Sequence, residues 1–117
     1  MSKVADSYRQ EGLNELVPWE AIVTAEICFA IFQSLMGSYQ PSNAAQFLST
    51  LVLEDVFPPS RALSLVENVL VAYPAVFSAN KPLEAIWKRG EGYVKDRAGT
   101  LLRIIYNDRV NELSSVA

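Results

Sequence analysis

Few residues in this sequence could do chemistry, because the chain holds no histidine and only one cysteine, Cys28. Histidine is the usual general base near neutral pH, so Ser-His-Asp and Cys-His catalytic sites are excluded. One cysteine without histidine cannot assemble a Cys/His zinc site, and the adjacent acids Glu54 and Asp55 are too few for a dedicated calcium or magnesium site. We therefore expect a protein that is not an enzyme, without a cofactor or a metal.

Three weaker patterns have simpler structural explanations. Ser78 and Lys81 fit the S-x-x-K spacing in which a lysine deprotonates a serine, but the companion motifs of such enzymes are missing. Gly90 and Gly92 give G-x-G, yet no strand precedes them and the third glycine of a phosphate-binding loop is absent. Glu26 could do acid or base chemistry if it were buried in an apolar site, although a helix carboxylate paired with an arginine or a tyrosine is more common.

Cys28 and the N-terminus bear on the cellular compartment. The cysteine lies in the apolar run 27–32 with no basic residue nearby in sequence, which favours a small buried hydrophobe in a reducing compartment over a reactive thiol. No apolar signal core occurs before residue 16. We expect a cytoplasmic protein.

Proline and glycine divide the chain into blocks of helical length, which predict a single all-α domain over residues 1–117. We expect a compact bundle of four to five helices, with residues 1–15 as a short helix or a loose N-terminal arm. Residues 69–73 would also suit a buried strand, but no second strand-like run could pair with it.

The most apolar block runs from Val17 to Met36, and its helix is predicted from Pro18 to Met36. Nearly every direction around its helix axis is apolar from Ile22 onward, which predicts that this helix lies in the centre of the bundle. The block has almost the length of a membrane span, but Glu20 and Glu26 interrupt it, so we expect a core helix and no membrane contact. Gly37 is the expected left-handed C-terminal cap.

Two further helices are predicted at 42–55, capped by Ser42 or Asn43, and at 61–73. The last predicted segment is a long amphipathic C-terminal helix from Lys81 to Leu113, capped by Asn80 and laid across the others. Its apolar positions share one face, and its glycines allow a kink or a break between Gly90 and Gly99. The apolar positions are Leu83, Trp87, Gly90, Val94, Ala98, Leu101 and Ile105.

Charge is uneven along the chain. Residues 1–74 hold 3 basic and 8 acidic side chains, whereas residues 75–117 hold 7 basic and 5 acidic side chains. A basic face on the C-terminal helix could contact a phosphate backbone, which makes a nucleic-acid-associated accessory protein the alternative function. Glu84 and Glu91 each precede a lysine by four residues, however, and such pairs would neutralise much of that face. The candidate basic residues are Lys81, Lys88, Arg89, Lys95 and Arg103.

Half of the residues are hydrophobic, which is rich for a small monomer, and several aromatic residues lie near predicted helix ends. Aromatic side chains with a polar atom are common interface anchors, although a core role is the simpler alternative. We expect a protein-protein interaction module (an adaptor, inhibitor, assembly factor or small subunit) that forms a homo-oligomer or binds a protein partner. A carrier of a small apolar ligand or a carboxylate-based enzyme is less favoured. The candidate interface residues are Trp19, Tyr39, Tyr73, Trp87, Tyr93 and Tyr106.

Overall fold

The computed structural model describes residues 18–116, with side chains described for residues 19–110. Its five α-helices are α1 (Pro18–Gly37), α2 (Pro41–Leu53), α3 (Pro59–Ala72), α4 (Asn80–Arg89) and α5 (Gly92–Val116), and a 3-10 turn spans Phe77–Ala79. Residues 18–116 contain no strand, so residues 69–72 are helical. The prediction of an all-α bundle with a long C-terminal helix is confirmed. The predicted N-terminal arm, residues 1–15, lies outside the described residues.

The core lies around α4, which packs against α2, α3 and α5. None of the buried side chains in the described part of the chain is polar, so apolar burial stabilises this centre. Phe57, in the loop between α2 and α3, closes the core from one side and is also buried. The fully buried side chains of the helices include Leu48, Val52, Val66, Val69, Leu83 and Ile86.

The prediction that the helix from Pro18 to Met36 lies in the centre is wrong. Among the described residues of α1, only Phe32 is buried, and the helix packs principally against α2. A partly buried stripe next to Phe32, made of Ala25, Cys28, Phe29, Leu35 and Met36, completes the contact with the core. An apolar pattern around the whole helix does not distinguish a face that meets the protein's own core from one that does not. The shorter and more polar α4 occupies the centre instead.

The end of α1 also differs from the prediction. Gly37 does not adopt the left-handed conformation, which falls on Tyr39 instead (φ 59°). The Tyr39 N–H donates to the carbonyl of Met36 at 3.1 Å, and the Gln40 N–H donates to that of Leu35 at 2.9 Å. These two bonds form a Schellman motif, in which the left-handed position is usually a glycine.

The predicted caps of α2 and α4 are both wrong, the first because a proline begins the helix and the second because a 3-10 turn precedes it. Pro41 and Pro59 occupy the first positions of α2 and α3, where the missing N–H costs nothing. Ser42 and Asn43 therefore lie inside the first turn of α2. Asn80 lies inside α4, which continues from the 3-10 turn without a side-chain cap.

The segment from 81 to 113 is two helices, with the break at Gly90 and Glu91. Gly90 is buried, and a Cβ atom at this position would lie 2.7 Å from the carbonyl oxygen of Ile86 and 3.1 Å from Val94. Gly92 then has a positive φ of 56° as α5 begins. Both glycines are required by the backbone of this turn, which folds α5 back against α4.

Candidate functional site

One side of α1 presents large apolar side chains that the rest of the described chain does not cover. We call this the outward face of α1, and its members are Trp19, Ile22, Val23, Ile27 and Ile31. Each is between 43% and 56% exposed. Four of them follow one another at intervals of four residues, which places them along one ridge of the helix. The stripe around Phe32 that meets the core lies on the opposite side.

The outward face carries little charge. Glu20 and Glu26, both exposed, are the charged residues of α1, and no basic residue occurs between Pro18 and Gly37. Within the described residues, the part of α1 from Trp19 to Gly37 is the one helix long and apolar enough to cross a membrane, judged by length and composition. The core helix of a soluble protein can pass the same test, but only 6% of this segment is buried.

An arginine joins α1 to the core. The guanidinium of Arg61, on α3, lies 5.3 Å from the ring centroid of Phe29 on α1 and 4.4 Å from that of Phe57. Contacts between a cation and an aromatic face contribute about 0.5–2 kcal/mol each. Together with Phe32, this contact fixes which side of α1 faces outward.

A second candidate surface is an open cleft of about 520 Å³ between α4 and α5. Its size is within the range of sites that bind small molecules or peptide side chains. We call it the α4–α5 cleft. It is lined by Glu84, Trp87 and Lys88 from α4 and by Gly99, Leu102 and Arg103 from α5.

The indole of Trp87 is positioned from two sides yet is 44% exposed. A Cβ atom at Gly99 would lie 3.4 Å from the indole Cδ1 and 3.5 Å from Nε1, so the glycine lets the ring approach α5 closely. The ammonium group of Lys95 lies 4.4 Å from the ring centroid. The cleft therefore has an oriented aromatic surface, and no hydrogen bond from the indole N–H is found within the described residues.

The charged groups of the cleft are not equivalent. Glu84 accepts a hydrogen bond from the hydroxyl of Tyr106 at 2.6 Å, and the same hydroxyl accepts one from Asn80 at 3.3 Å. Lys88 has no carboxylate within ion-pair distance in the described part of the chain, and Arg103 donates only to the hydroxyl of Thr100, at 3.4 Å. The carboxylate is thus engaged with neutral groups, while the two cations lack an anionic partner among residues 19–110.

The five predicted basic residues do not form one ridge. Lys88 and Arg103 meet at the α4–α5 cleft, and Lys95 lies over Trp87 beside it. Arg89 instead forms an ion pair with Asp55 at the end of α2, and Lys81 is exposed at the start of α4. The expected pairs of Glu84 with Lys88 and of Glu91 with Lys95 are replaced by the contacts with Tyr106 and Trp87.

The six predicted aromatic residues are likewise divided among several elements. Trp19 belongs to the outward face of α1, and Trp87 belongs to the α4–α5 cleft. Tyr39 is 81% exposed after α1, Tyr93 is exposed in the first turn of α5, and Tyr73 is half-buried at the end of α3. Tyr106 packs edge-on against Phe77, with ring centroids 5.7 Å apart.

Sequence reasoning missed the aliphatic residues of α1. They were assigned to the core, although their spacing at every fourth position was a signal for a separate ridge. It also missed Gly99 and Leu102 as lining residues of the cleft, because they meet Trp87 only once the chain reverses at Gly90. No local pattern gives the position of such a reversal in space.

The residues first considered for chemistry take up structural positions. Ser78 lies in the 3-10 turn, Lys81 is exposed, and no hydrogen bond joins their side chains in the described structure. Glu26 is exposed on α1, and no group of three acidic or cysteine side chains in the described part of the chain is placed to hold a metal ion. The chain matches no protein-family model, no curated protein and no solved structure.

Proposed function

We propose that this protein is a non-enzymatic interaction module that self-associates through the outward face of α1. The observation that supports this proposal is the ridge of half-exposed large apolar side chains from Trp19 to Ile31. Soluble monomers rarely expose contiguous apolar patches of more than a few hundred Å². A surface of this kind, on a helix that is fixed to the core by its other side, is suited to contact with another protein.

A second copy of the chain is the favoured partner because symmetry uses the same patch twice. Covering the exposed half of one large apolar side chain contributes about 1 kcal/mol, so five residues on each of two chains contribute about 10 kcal/mol. Association costs about 4–15 kcal/mol in lost freedom of motion. The two terms are similar, so we expect an association that depends on concentration.

The charges of α1 give this interface a specific salt dependence. Glu20 and Glu26 lie on the same side of α1 as the apolar ridge, and the helix has no basic residue, so two copies bring like charges together. Added salt screens that repulsion, and self-association should strengthen. A contact with a basic partner would instead weaken as salt is added.

The alternative function, a nucleic-acid-associated accessory protein, has less support. Of the five basic residues, Arg89 is engaged by Asp55 and Lys95 by Trp87. Phosphate contacts supply most of the affinity for nucleic acid, and the other three residues do not form a continuous row, since Lys81 lies outside the cleft where Lys88 and Arg103 meet.

The mass in solution, measured by light scattering from micromolar to near-millimolar concentration, tests the proposal. The wild-type chain should reach at least twice the 13.0 kDa of one copy. Ile27→Glu should remain monomeric because it places a charge in the middle of the outward face. Val71→Glu is the matched control, since Val71 is 82% exposed on α3, and it should associate like the wild type.

Two outcomes would contradict the proposal. One is a wild-type protein that stays monomeric over the whole concentration range. The other is a monomer that sediments with neutral phosphatidylcholine vesicles and loses this binding in Ile27→Glu, which would assign the outward face to a membrane.

A further inference from the structure

We propose that the α4–α5 cleft binds an acidic peptide segment of a protein partner, with an apolar side chain of the peptide on Trp87 and its carboxylates on Lys88 and Arg103. This site lies on different helices from the outward face of α1. It does not depend on self-association.

Trp87 supplies the apolar part of the proposed binding site. Its indole is held between Gly99 and the Lys95 ammonium, remains 44% exposed, and borders the cleft beside Leu102. A large aromatic side chain whose orientation is already fixed loses little conformational freedom on binding. Tryptophan and arginine are the residues most often found at the energetic centre of protein interfaces.

Lys88 and Arg103 supply the charged part of the proposed binding site. Both cations line the cleft without a carboxylate partner in the described residues. The carboxylate of Glu84 instead accepts a hydrogen bond from the Tyr106 hydroxyl. A chain with a net charge of −3 thus carries a local pair of uncompensated cations beside an exposed indole. A ligand that complements this arrangement carries one or two carboxylates next to an apolar group.

The same features favour a peptide over a nucleic acid. Two cations match a pair of carboxylates, whereas a nucleic-acid backbone carries a charge on every nucleotide and is bound by a longer row of cations than Lys88 and Arg103 provide. The cleft is open, so an extended segment can cross it without having to enter an enclosed cavity.

The test uses synthetic tripeptides in which one glutamate lies on each side of a leucine, a phenylalanine or a tryptophan, with both ends blocked. Two-dimensional NMR of the ¹⁵N-labelled full chain follows the indole N–H signals of Trp87 and Trp19, which report on the cleft and on α1 separately. The glutamate peptides should shift the Trp87 signal and leave that of Trp19 unchanged. The matched glutamine peptides should produce no saturable shift.

Single substitutions then assign the contacts. Lys88→Gln and Arg103→Gln should each weaken peptide binding about tenfold, the effect of one lost charge-assisted hydrogen bond. Lys81→Gln removes the same charge from the same helix outside the cleft and should bind like the wild type.

Three results would overturn the inference. The first is that no glutamate peptide shifts the Trp87 signal at millimolar concentration. The second is that the glutamine peptides bind equally well. The third is that single-stranded DNA binds at low salt more tightly than the peptides and loses affinity in Lys88→Gln, which would assign the cleft to nucleic acid.

Discussion

Within the described residues, two side-chain-bearing positions adopt left-handed backbone conformations where a glycine is usual. Tyr39 has a φ of 59° after α1, and Asp55 has a φ of 58° after α2. Aspartate tolerates this region better than most residues, and its carboxylate forms the ion pair with Arg89. Tyr39 has no comparable compensation, because its side chain is 81% exposed. The strain at Tyr39 is therefore retained without a visible packing benefit within the described chain.

Tyr39→Gly should raise the free energy of unfolding by about 1 kcal/mol, because it relieves the left-handed strain and removes little buried surface. Urea denaturation measures the change. Tyr39→Ala keeps a Cβ atom and therefore the strain, so its stability should remain close to that of the wild type. A loss of stability in Tyr39→Gly would mean that the ring makes a stabilising contact.

Gly90 and Gly37 differ in whether the structure leaves room for a methyl group, so alanine substitutions at the two positions can be compared. Gly90→Ala should lower the free energy of unfolding by about 1–3 kcal/mol, because its Cβ would lie 2.7 Å from the Ile86 carbonyl oxygen. Gly37 has nothing within 4 Å of that position and ends α1, so Gly37→Ala should be neutral or stabilising by less than 1 kcal/mol, about the difference in helix propensity. Thermal and urea unfolding would distinguish the two variants, and equal effects would contradict the tight turn at Gly90.

At the scale of elements, α1 is joined to the bundle through one side only. Phe32 is its one buried side chain among the described residues, and α1 packs principally against α2. Phe32→Ala should therefore lower the free energy that holds α1 against α2 by about 3–5 kcal/mol, while the other helices stay folded. Hydrogen exchange should show faster exchange in residues 25–36 and preserved protection in α4.

Ile31→Ala is the control for that experiment, because the neighbouring side chain belongs to the outward face and is 44% exposed. In dilute solution, it should leave the exchange of α1 unchanged. If Phe32→Ala instead accelerates exchange equally in α1 and α4, the bundle unfolds as one unit and α1 is part of its cooperative core.

The elements differ in how far sequence predicts them. The i, i+3, i+4 spacing of Ala44, Phe47, Leu48, Leu51 and Val52 located α2, because its one apolar face meets one core. The same reasoning failed for α1, which has two apolar faces. Only part of the α4–α5 cleft was predicted. Trp87, Lys88 and Arg103 were candidate site residues, but Gly99 contacts the indole only because the chain reverses at Gly90. Local spacing predicts the face of a helix, whereas the partner of that face depends on the whole bundle.

At the scale of the whole molecule, the two proposed contact surfaces occupy different helices, and neither is formed by the buried side chains of the core. The outward face belongs to α1, which packs principally against α2, and the cleft lies between α4 and α5. Substitutions in either surface should therefore change binding without unfolding the bundle.

If the protein self-associates through α1, its thermal stability must depend on its own concentration, since association removes the outward face from water only in the folded state. The melting temperature should rise by about 3 °C for each tenfold increase in protein concentration. Scanning calorimetry at several concentrations measures this slope. Ile27→Glu should have no slope, and Val71→Glu should have that of the wild type. A wild-type melting temperature that does not change with concentration would place the apolar ridge of α1 outside any self-association, whatever the mass measurement gives at one concentration.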